Sequence, residues 1–262
     1  MNFESTYLIL IGLFIGGGLL SALLWALFKP NWMGFARKTL WDWFVILAVP
    51  AVVGFATLFI SVGQARINLE RAEEEAVQQY FDRISELALA GHFTGGSMEA
   101  VAVGRAQTLA VLQIVDGTRS GRVLQFLGEI GLVQLLVTEI EGANFAGAQL
   151  KGLPLSGVDM EDVNLTGADL EEADLSGADL EEVDLRYADL KGANLSGVTM
   201  EDVALKGAIL DHADLRGANL ADATGLDEDE LTRACLDVRT VLPPGVIVKV
   251  WTGCSGDIVD DD

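Results

Sequence analysis

The side chains best able to do chemistry in this chain are carboxylates, and they recur at a fixed interval. Asp or Asn stands at 164, 169, 174, 179, 184, 189 and 194, and further acids follow two and three places on, as in Glu171-Glu172 and Glu181-Glu182. Paired carboxylates can work as general acid and base, and carboxylates whose oxygens converge on one point can hold Ca²⁺. A regular five-residue spacing on extended chain gives neither. It lays the acids along a face, which reads as a solvated strand surface. The rest of the reactive inventory is thin. His92 sits in a Gly-rich loop and His212 at a turn of the repeat, and neither has a partner at metal-ligand spacing. Cys235 and Cys254 form no metal motif; Cys235 reads as a small buried apolar residue, and a disulfide between the two requires an oxidising compartment. No Gly-x-Ser-x-Gly elbow, phosphate loop or dinucleotide fingerprint occurs. The expectation is a protein that is no enzyme, with no cofactor, metal or small-molecule substrate.

The interval belongs to a repeat that also carries the apolar residues. Residues 143–222 form sixteen consecutive five-residue blocks without an insertion. The third residue of each is Leu, Met or Phe. The first is Ala or Val in every block except the one that begins at Leu153. Alternate side chains of extended backbone face opposite ways, so first and third residues point one way and the second and fourth the other. A chain that turns after each block can coil around its own apolar positions. The fifth residue is often Gly, which tolerates the backbone angles of a corner. A fixed short period over so long a stretch is the mark of a solenoid.

These blocks, from Glu139 to Asp222, resemble the pentapeptide repeat family. The resemblance implies a right-handed quadrilateral β-helix of four blocks per coil, binding through its outer faces and without a common catalytic site. An internal copy agrees with four-block coils. Leu155-Ser-Gly-Val-Asp-Met-Glu-Asp-Val returns forty residues later as Leu195-Ser-Gly-Val-Thr-Met-Glu-Asp-Val, two coils on and on the same face. Blocks twenty residues apart then share a face. The one holding Met160, Leu180, Met200 and Leu220 displays Asp159, Glu161, Asp162, Asp179, Glu181, Glu182, Glu201, Asp202 and Asp222, with no Lys or Arg. The one holding Leu155, Leu175, Leu195 and Leu215 shows Ser and Gly instead. The acidic face is the candidate partner-binding surface, and its partner is expected to be a basic protein.

Charge is unevenly shared. The net charge is −22. Residues 1–137 hold eleven acidic and nine basic side chains, and residues 138–262 hold twenty-eight and eight. The acidic half cannot bind nucleic acid directly, because phosphate contact needs a positive surface.

The other end reads as a membrane anchor. Residues 7–28 and 43–62 carry no charge, and each is long enough to cross a bilayer, which takes about 20 apolar residues. Pro50 lies inside the second run. Trp25, Trp32, Trp41 and Trp43 cluster where the runs meet, as in an interfacial aromatic belt. Gly12 and Gly16 stand four apart on the first run, a spacing that lets helices approach closely. The two form a hairpin over residues 1–63. Its loop carries Lys29, Arg37 and Lys38, against Arg66 and Arg71 on the other side, a narrow positive-inside count placing the loop in the cytoplasm.

Residues 64–137 read as three linker helices that cap the solenoid: one continuing to Gly91, one from about Ser97, and one from about Ser120 after a break at Asp116-Gly117. Trp41-Asp-Trp-Phe-Val-Ile-Leu-Ala-Val-Pro, Glu73-Glu-Glu-Ala-Val-Gln-Gln-Tyr-Phe and Arg105-Ala-Gln-Thr-Leu-Ala-Val-Leu are similar to the amino-terminal region of membrane-anchored bacterial pentapeptide repeat proteins. Residues 138–222 are the repeat β-helix, and residues 223–262 a helical cap with an acidic tail. The fold class is thus α+β. The function expected is a non-enzymatic, membrane-anchored interaction or scaffold module. Two competitors stand beside it: an accessory subunit of a larger membrane complex, and a DNA-mimic inhibitor similar to the pentapeptide repeat proteins that shield gyrase from quinolones.

Overall fold

In the repeat, each extended block is too short to stand as a strand alone and is held by the blocks above and below it. Parallel bridges join Glu139 to Asp159, Asn144 to Asn164, Gln149 to Asp169 and Pro154 to Asp174, and the register continues at twenty residues as far as Ala204 and Thr224. Twenty residues per coil and five per side make the coil four-sided. Two backbone bonds fix each side, as where Leu165 N–H donates to the Asp184 carbonyl at 2.9 Å and Asp184 N–H donates to the Val163 carbonyl at 3.0 Å. At each corner the chain closes a β-turn, for example Ala168 N–H to the Leu165 carbonyl at 3.0 Å. The next residue back, Gly167, donates to the Arg186 carbonyl of the following coil at 2.9 Å.

First and third residues of the blocks fill the interior. From Ala143 to Leu220 none is more exposed than Leu153, at 8 %. Burying one Leu side chain contributes about 1.5–3 kcal/mol, so a column of stacked Leu is the main stabilising term. The second position differs from the expected solvated face. Its Asp or Asn turns back to cap the corner: Asn164, Asp169, Asp174 and Asp184 each accept the N–H two residues on, at 3.0–3.1 Å. These side chains are only partly exposed. The periodic acid is a structural cap first.

The computed structural model describes residues 40–94, 97–226, 228–246 and 248. It divides into two compact units, Met1–Ala65 and Arg66–Asp262. Helix α1, Leu40–Leu89, runs through Pro50 and ends at Gly91. There His92 N–H bonds to the Leu87 carbonyl and Gly91 N–H to the Ala88 carbonyl, a Schellman stop. Among the described residues one helix, Ala48–Leu89, is long and apolar enough to cross a membrane. Val52, Phe55, Leu58, Phe59 and Ile60 on it are exposed. The expected two-helix hairpin is therefore corrected to one long apolar helix. The first run, residues 7–28 with Gly12 and Gly16, lies outside the described residues, as do Trp25 and Trp32.

In the second unit the carboxyl-terminal part of α1 packs on α2, Met98–Leu112, and α3, Gly117–Glu129. Val77 and Ile84 are fully buried, the Tyr80 hydroxyl lies 2.8 Å from Thr108 Oγ1, and the rings of Phe81 and Phe126 are 4.5 Å apart. Arg119 pairs with Glu73 at 3.0 Å, and Arg122 with Glu74 at 2.9 Å. Ser97 caps α2 as expected. Helix α3 begins three residues before Ser120, because the Asp116 carboxylate accepts the Arg119 N–H at 2.9 Å and so starts a helix where a break was expected. A single turn, α4, Val133–Leu136, leads into the first coil.

Helix α3 closes the amino-terminal end of the solenoid with a glycine stripe. A Cβ on Gly117 would lie 2.3 Å from the Ala146 carbonyl oxygen, one on Gly121 3.0 Å from the Ala148 Cβ, and one on Gly128 2.7 Å from Leu153 Cδ2. The first clash is with backbone, which cannot give way as a flexible side chain can. Replacing Gly117 with Ala is therefore expected to cost about 1–3 kcal/mol as overpacking. Hydrogen exchange should quicken in α3 and the first coil, with the coils beyond Asp179 unchanged.

The opposite end departs from the expected helical cap. Helix α5, Glu228–Leu231, is a single turn. After it the chain resumes the solenoid, Cys235 bridging Asp214 and Val241 bridging Asn219. Asp237 supplies an acceptor that a further coil would otherwise provide, taking the Gly217 N–H at 2.9 Å and the Arg239 N–H at 3.0 Å. Desolvation pushes the Asp237 carboxyl up, but the Arg239 side chain and these two N–H groups outweigh it and bring it down to about 2.

Candidate interaction surface

One corner of the solenoid gathers acids in register. It follows the side of Met160, Leu180 and Met200. The fourth residues of successive coils are Glu141, Glu161, Glu181 and Glu201, and the fifth are Gly142, Asp162, Glu182 and Asp202. Backbone bonds stack them directly: Gly142 N–H to the Glu161 carbonyl, Asp162 N–H to that of Glu181 and Glu182 N–H to that of Glu201, at 2.9–3.0 Å. Coils lie about 4.8 Å apart, so each carboxylate has like charges as nearest neighbours. The effect shows at Glu161, which is pushed above the ordinary carboxyl range by Glu141 first, then by desolvation, Glu181, Asp159 and Glu182.

The nine acids expected on this face separate by role. Glu161, Asp162, Glu182, Glu201 and Asp202 are exposed. Glu181 is half-buried, and Glu201 accepts a bond from Asn219 Nδ2 at 3.4 Å. Asp159 and Asp179 belong to the same side but cap its corner, accepting Glu161 N–H at 3.3 Å and Glu181 N–H at 3.2 Å. The structure adds Glu139 and Glu141 at the amino-terminal end: Glu139 bridges Asp159, and Glu141 is the largest influence on Glu161. Their five-residue frame, Thr138-Glu-Ile-Glu-Gly, was legible in the sequence. Asp222 is exposed at the other end.

The other corners show that the fold does not impose this arrangement. At the corner of Lys151, Glu171, Lys191 and Asp211, signs alternate from coil to coil. Glu171 pairs with Lys151 at 2.5 Å and with Lys191 at 3.7 Å, and Asp211 pairs with Arg233 at 3.0 Å. Its hydrogen bond to Lys151 holds Glu171 below the usual carboxyl range and raises Lys151. Elsewhere Arg186 closes on Asp184 at 2.5 Å and Arg216 on Asp214 at 2.6 Å. Among the described residues no ion pair reaches Glu161, Asp162, Glu181, Glu182, Glu201 or Asp202.

Backbone strain adds to the charge at this corner without being confined to it, since Glu172, Tyr187 and His212 take φ of 58–62° at other corners. From Gly142 to Gly217 the fifth residue of each block takes a left-handed conformation. The Ser/Gly corner uses Gly157, Gly177, Gly197 and Gly217 there, with φ of 64–71°. The acidic corner places Asp162, Glu182 and Asp202 at φ 57–58°. A residue with a Cβ pays about 1–2 kcal/mol for this region. Replacing Glu182 with Gly is accordingly expected to stabilise the rod by about 0.5–1 kcal/mol, once the larger unfolded-state entropy of Gly is subtracted. The urea midpoint would record it as an increase.

No chemistry converges elsewhere among the described residues. They hold no group of three or more His, Cys, Asp or Glu able to bind a metal ion. His212 takes a corner at φ 61°, and His92 follows the α1 stop. Tyr80, beside an open groove between α1 and α2, is pushed up to about 12 by burial.

Residues 163–202 and 200–224 match the family model for pentapeptide repeats, in eight copies. A pentapeptide repeat protein from Nostoc PCC 7120, alr5209, is 32% identical over 38% of this chain and 73% of its own, with a TM-score of 0.21. The chain belongs to the pentapeptide repeat protein family. Rfr23, a pentapeptide repeat protein from the cyanobacterium Cyanothece 51142, is 31% identical over 40% of this chain, with a TM-score of 0.30. The chain spans 63% of the length of Rfr23. QnrB1, a plasmid-mediated fluoroquinolone resistance protein, is 18% identical over 44% of this chain and 60% of its own, with a TM-score of 0.19. No curated protein matches the chain. Pentapeptide repeat proteins are generally non-enzymatic, in keeping with a site built of surface charge.

Proposed function

We propose that this pentapeptide repeat protein is a non-enzymatic, membrane-anchored interaction module whose acidic corner receives a basic protein partner. The observation that carries the reading is the contrast between corners of one rod. The corner from Lys151 to Asp211 pairs its own charges, while that from Glu161 to Asp202 carries no such ion pair and sets acids on three successive coils, Asp162, Glu182 and Asp202, at backbone angles suited to glycine. Both features lower stability, and a basic partner would repay the electrostatic part by removing like-charge repulsion. Anchoring rests on the exposed apolar length of α1.

Two measurements test the two halves. The full chain is expected to stay with membranes through alkaline carbonate washing, while a chain beginning at Gln64 is released; a full chain that washes off overturns the anchor. A partner captured by the detergent-solubilised protein is expected to elute as salt rises, because exposed charges are screened over about 8–10 Å at physiological ionic strength. Capture indifferent to salt overturns the acidic corner as the docking site.

A further inference from the structure

We propose that α1 pairs with α1 of a second copy of this chain inside the bilayer, through a strip of Gly54, Thr57, Ser61 and Gln64, making the anchored protein a parallel dimer. This pairing rests on the membrane reading above. From Ala48 to Ala65 the helix carries no charged residue and only three polar side chains, Thr57, Ser61 and Gln64. They stand at i, i+4 and i+7, and Gly54 and Pro50 continue the same line. At about 100° per residue, all five fall within an arc of about 80°. Val52, Phe55, Phe59 and Val62 occupy the opposite side and are exposed.

A helix that only had to span lipid would need no such strip. Hydrocarbon offers no hydrogen bonds, so polar side chains of membrane helices turn toward protein. The Thr57 hydroxyl donates to the Val53 carbonyl and the Ser61 hydroxyl to the Leu58 carbonyl, both at 2.8 Å. Each oxygen keeps lone pairs that can accept a further bond. Among the described residues nothing bonds to the Gln64 amide, which offers two donors and an acceptor oxygen. Gly54 gives a separate sign of a close neighbour. Glycine weakens a helix interior, yet a Cβ at Gly54 would meet nothing within 4 Å. Packing among the described residues does not require its small size, whereas close approach of a second helix does. Gly63 is equally open, but lies across the helix and takes no part.

Three features select a second copy as the occupant. The strip is uncharged, so two copies of it do not repel. Hydroxyl and amide groups both donate and accept, so a symmetric pair is self-complementary, with Gln64 of one helix donating to the Ser61 hydroxyl oxygen of the other. Copies inserted by one route run in the same direction, as such a pair requires. The spacing also fits. Steps of four, three, four and three from Pro50 to Gln64 follow the heptad period, at which two helices wind left-handedly along one seam.

The test uses the full chain in phosphatidylcholine vesicles, in two pools labelled at the amino terminus with a donor or an acceptor dye. Energy transfer is read against the protein-to-lipid ratio. The expected result is transfer that saturates and is competed away by unlabelled chain. Gly54→Leu, Thr57→Leu, Ser61→Leu and Gln64→Leu together should raise the ratio at half-maximal transfer by about tenfold or more, because the seam loses both close approach and hydrogen bonds. Leucine suits a membrane helix, so this variant still inserts. Val52→Leu with Phe59→Leu, on the opposite side, should leave the ratio unchanged. Equal shifts from the two sides, or transfer that only follows surface density, overturn the pairing; the strip is then covered by its own chain or by a different protein. Chain that resists carbonate but shows no saturable transfer refutes the dimer alone. Chain that washes off the vesicles removes anchor and dimer together.

Discussion

Leu185→Asp is expected to abolish the fold of the solenoid's middle coils. Leu185 is fully buried, one link in the column of Leu165, Leu185 and Leu205. An isolated carboxylate there has no inward partner, since the interior offers only side chains such as Ala188, Leu190 and Val183. Burial without a partner costs at least several kcal/mol, even after the group shifts its pKa and takes a proton. Loss of the Leu side chain adds about 2–5 kcal/mol. That sum is comparable to the whole stability of a domain of this size. A solenoid does not spread such a loss, because each coil touches only its neighbours. Hydrogen exchange should show residues 163–207 unprotected, and α2 and α3 still protected. Uniform protection across the variant would mean that residue 185 does not face the interior.

Neutralising Glu181, Glu182, Glu201 and Asp202 to Gln or Asn is expected to move two quantities in opposite directions. Capture of the basic partner should fall by an order of magnitude or more, since several exposed charges act together on association. The thermal midpoint of the rod should rise, because stacked like charges repel. The two readouts separate docking from folding. A variant that binds less because it is damaged would also melt earlier. The same four substitutions offer a direct comparison with the Lys151–Glu171–Lys191 corner, where opposite signs already alternate. Reduced melting temperature would mean that these carboxylates make contacts the native rod needs. Unchanged capture would shift attention to the Ser/Gly corner at Ser156, Ser176 and Ser196.

Most of the rod was legible because a five-residue period ties each residue type to one direction. Leu170 must face inward if Leu165 and Leu175 do, and the bridges at twenty residues bear out the four-block coil. The role of the second position was hidden, because Asp174 as a surface charge and Asp174 as a corner cap share one spelling. Only the N–H of Ser176 at 3.1 Å distinguishes them. The acidic corner was recoverable from the period, but its left-handed backbone was not, since Asp162, Glu182 and Asp202 occupy a conformation that glycine announces and they do not. At the ends of the rod the period stops, and so did foresight. Asp116 read as a breaker and is a helix cap, and the helical cap expected over residues 223–262 shows, among the described residues, one helical turn at Glu228–Leu231 before the chain rejoins the coil at Cys235 and Val241.

Four sides to a coil also set a unit of growth for this chain. Inserting one block of five residues anywhere in the rod would leave every inward Leu inward, because the alternation is undisturbed. It would nonetheless turn everything beyond it by a quarter of a revolution. Placed between Glu182 and Glu201, it would take Glu201 and Asp202 off the line of Glu161 and Glu181 and cut the acidic strip in two. Only additions of twenty residues, or of multiples of twenty, lengthen the strip while keeping it on one side. The forty-residue copy from Leu155 to Leu195 obeys this rule. A rod built so has a thread like a screw's: it tolerates any whole number of blocks as a fold, but only whole revolutions as a surface.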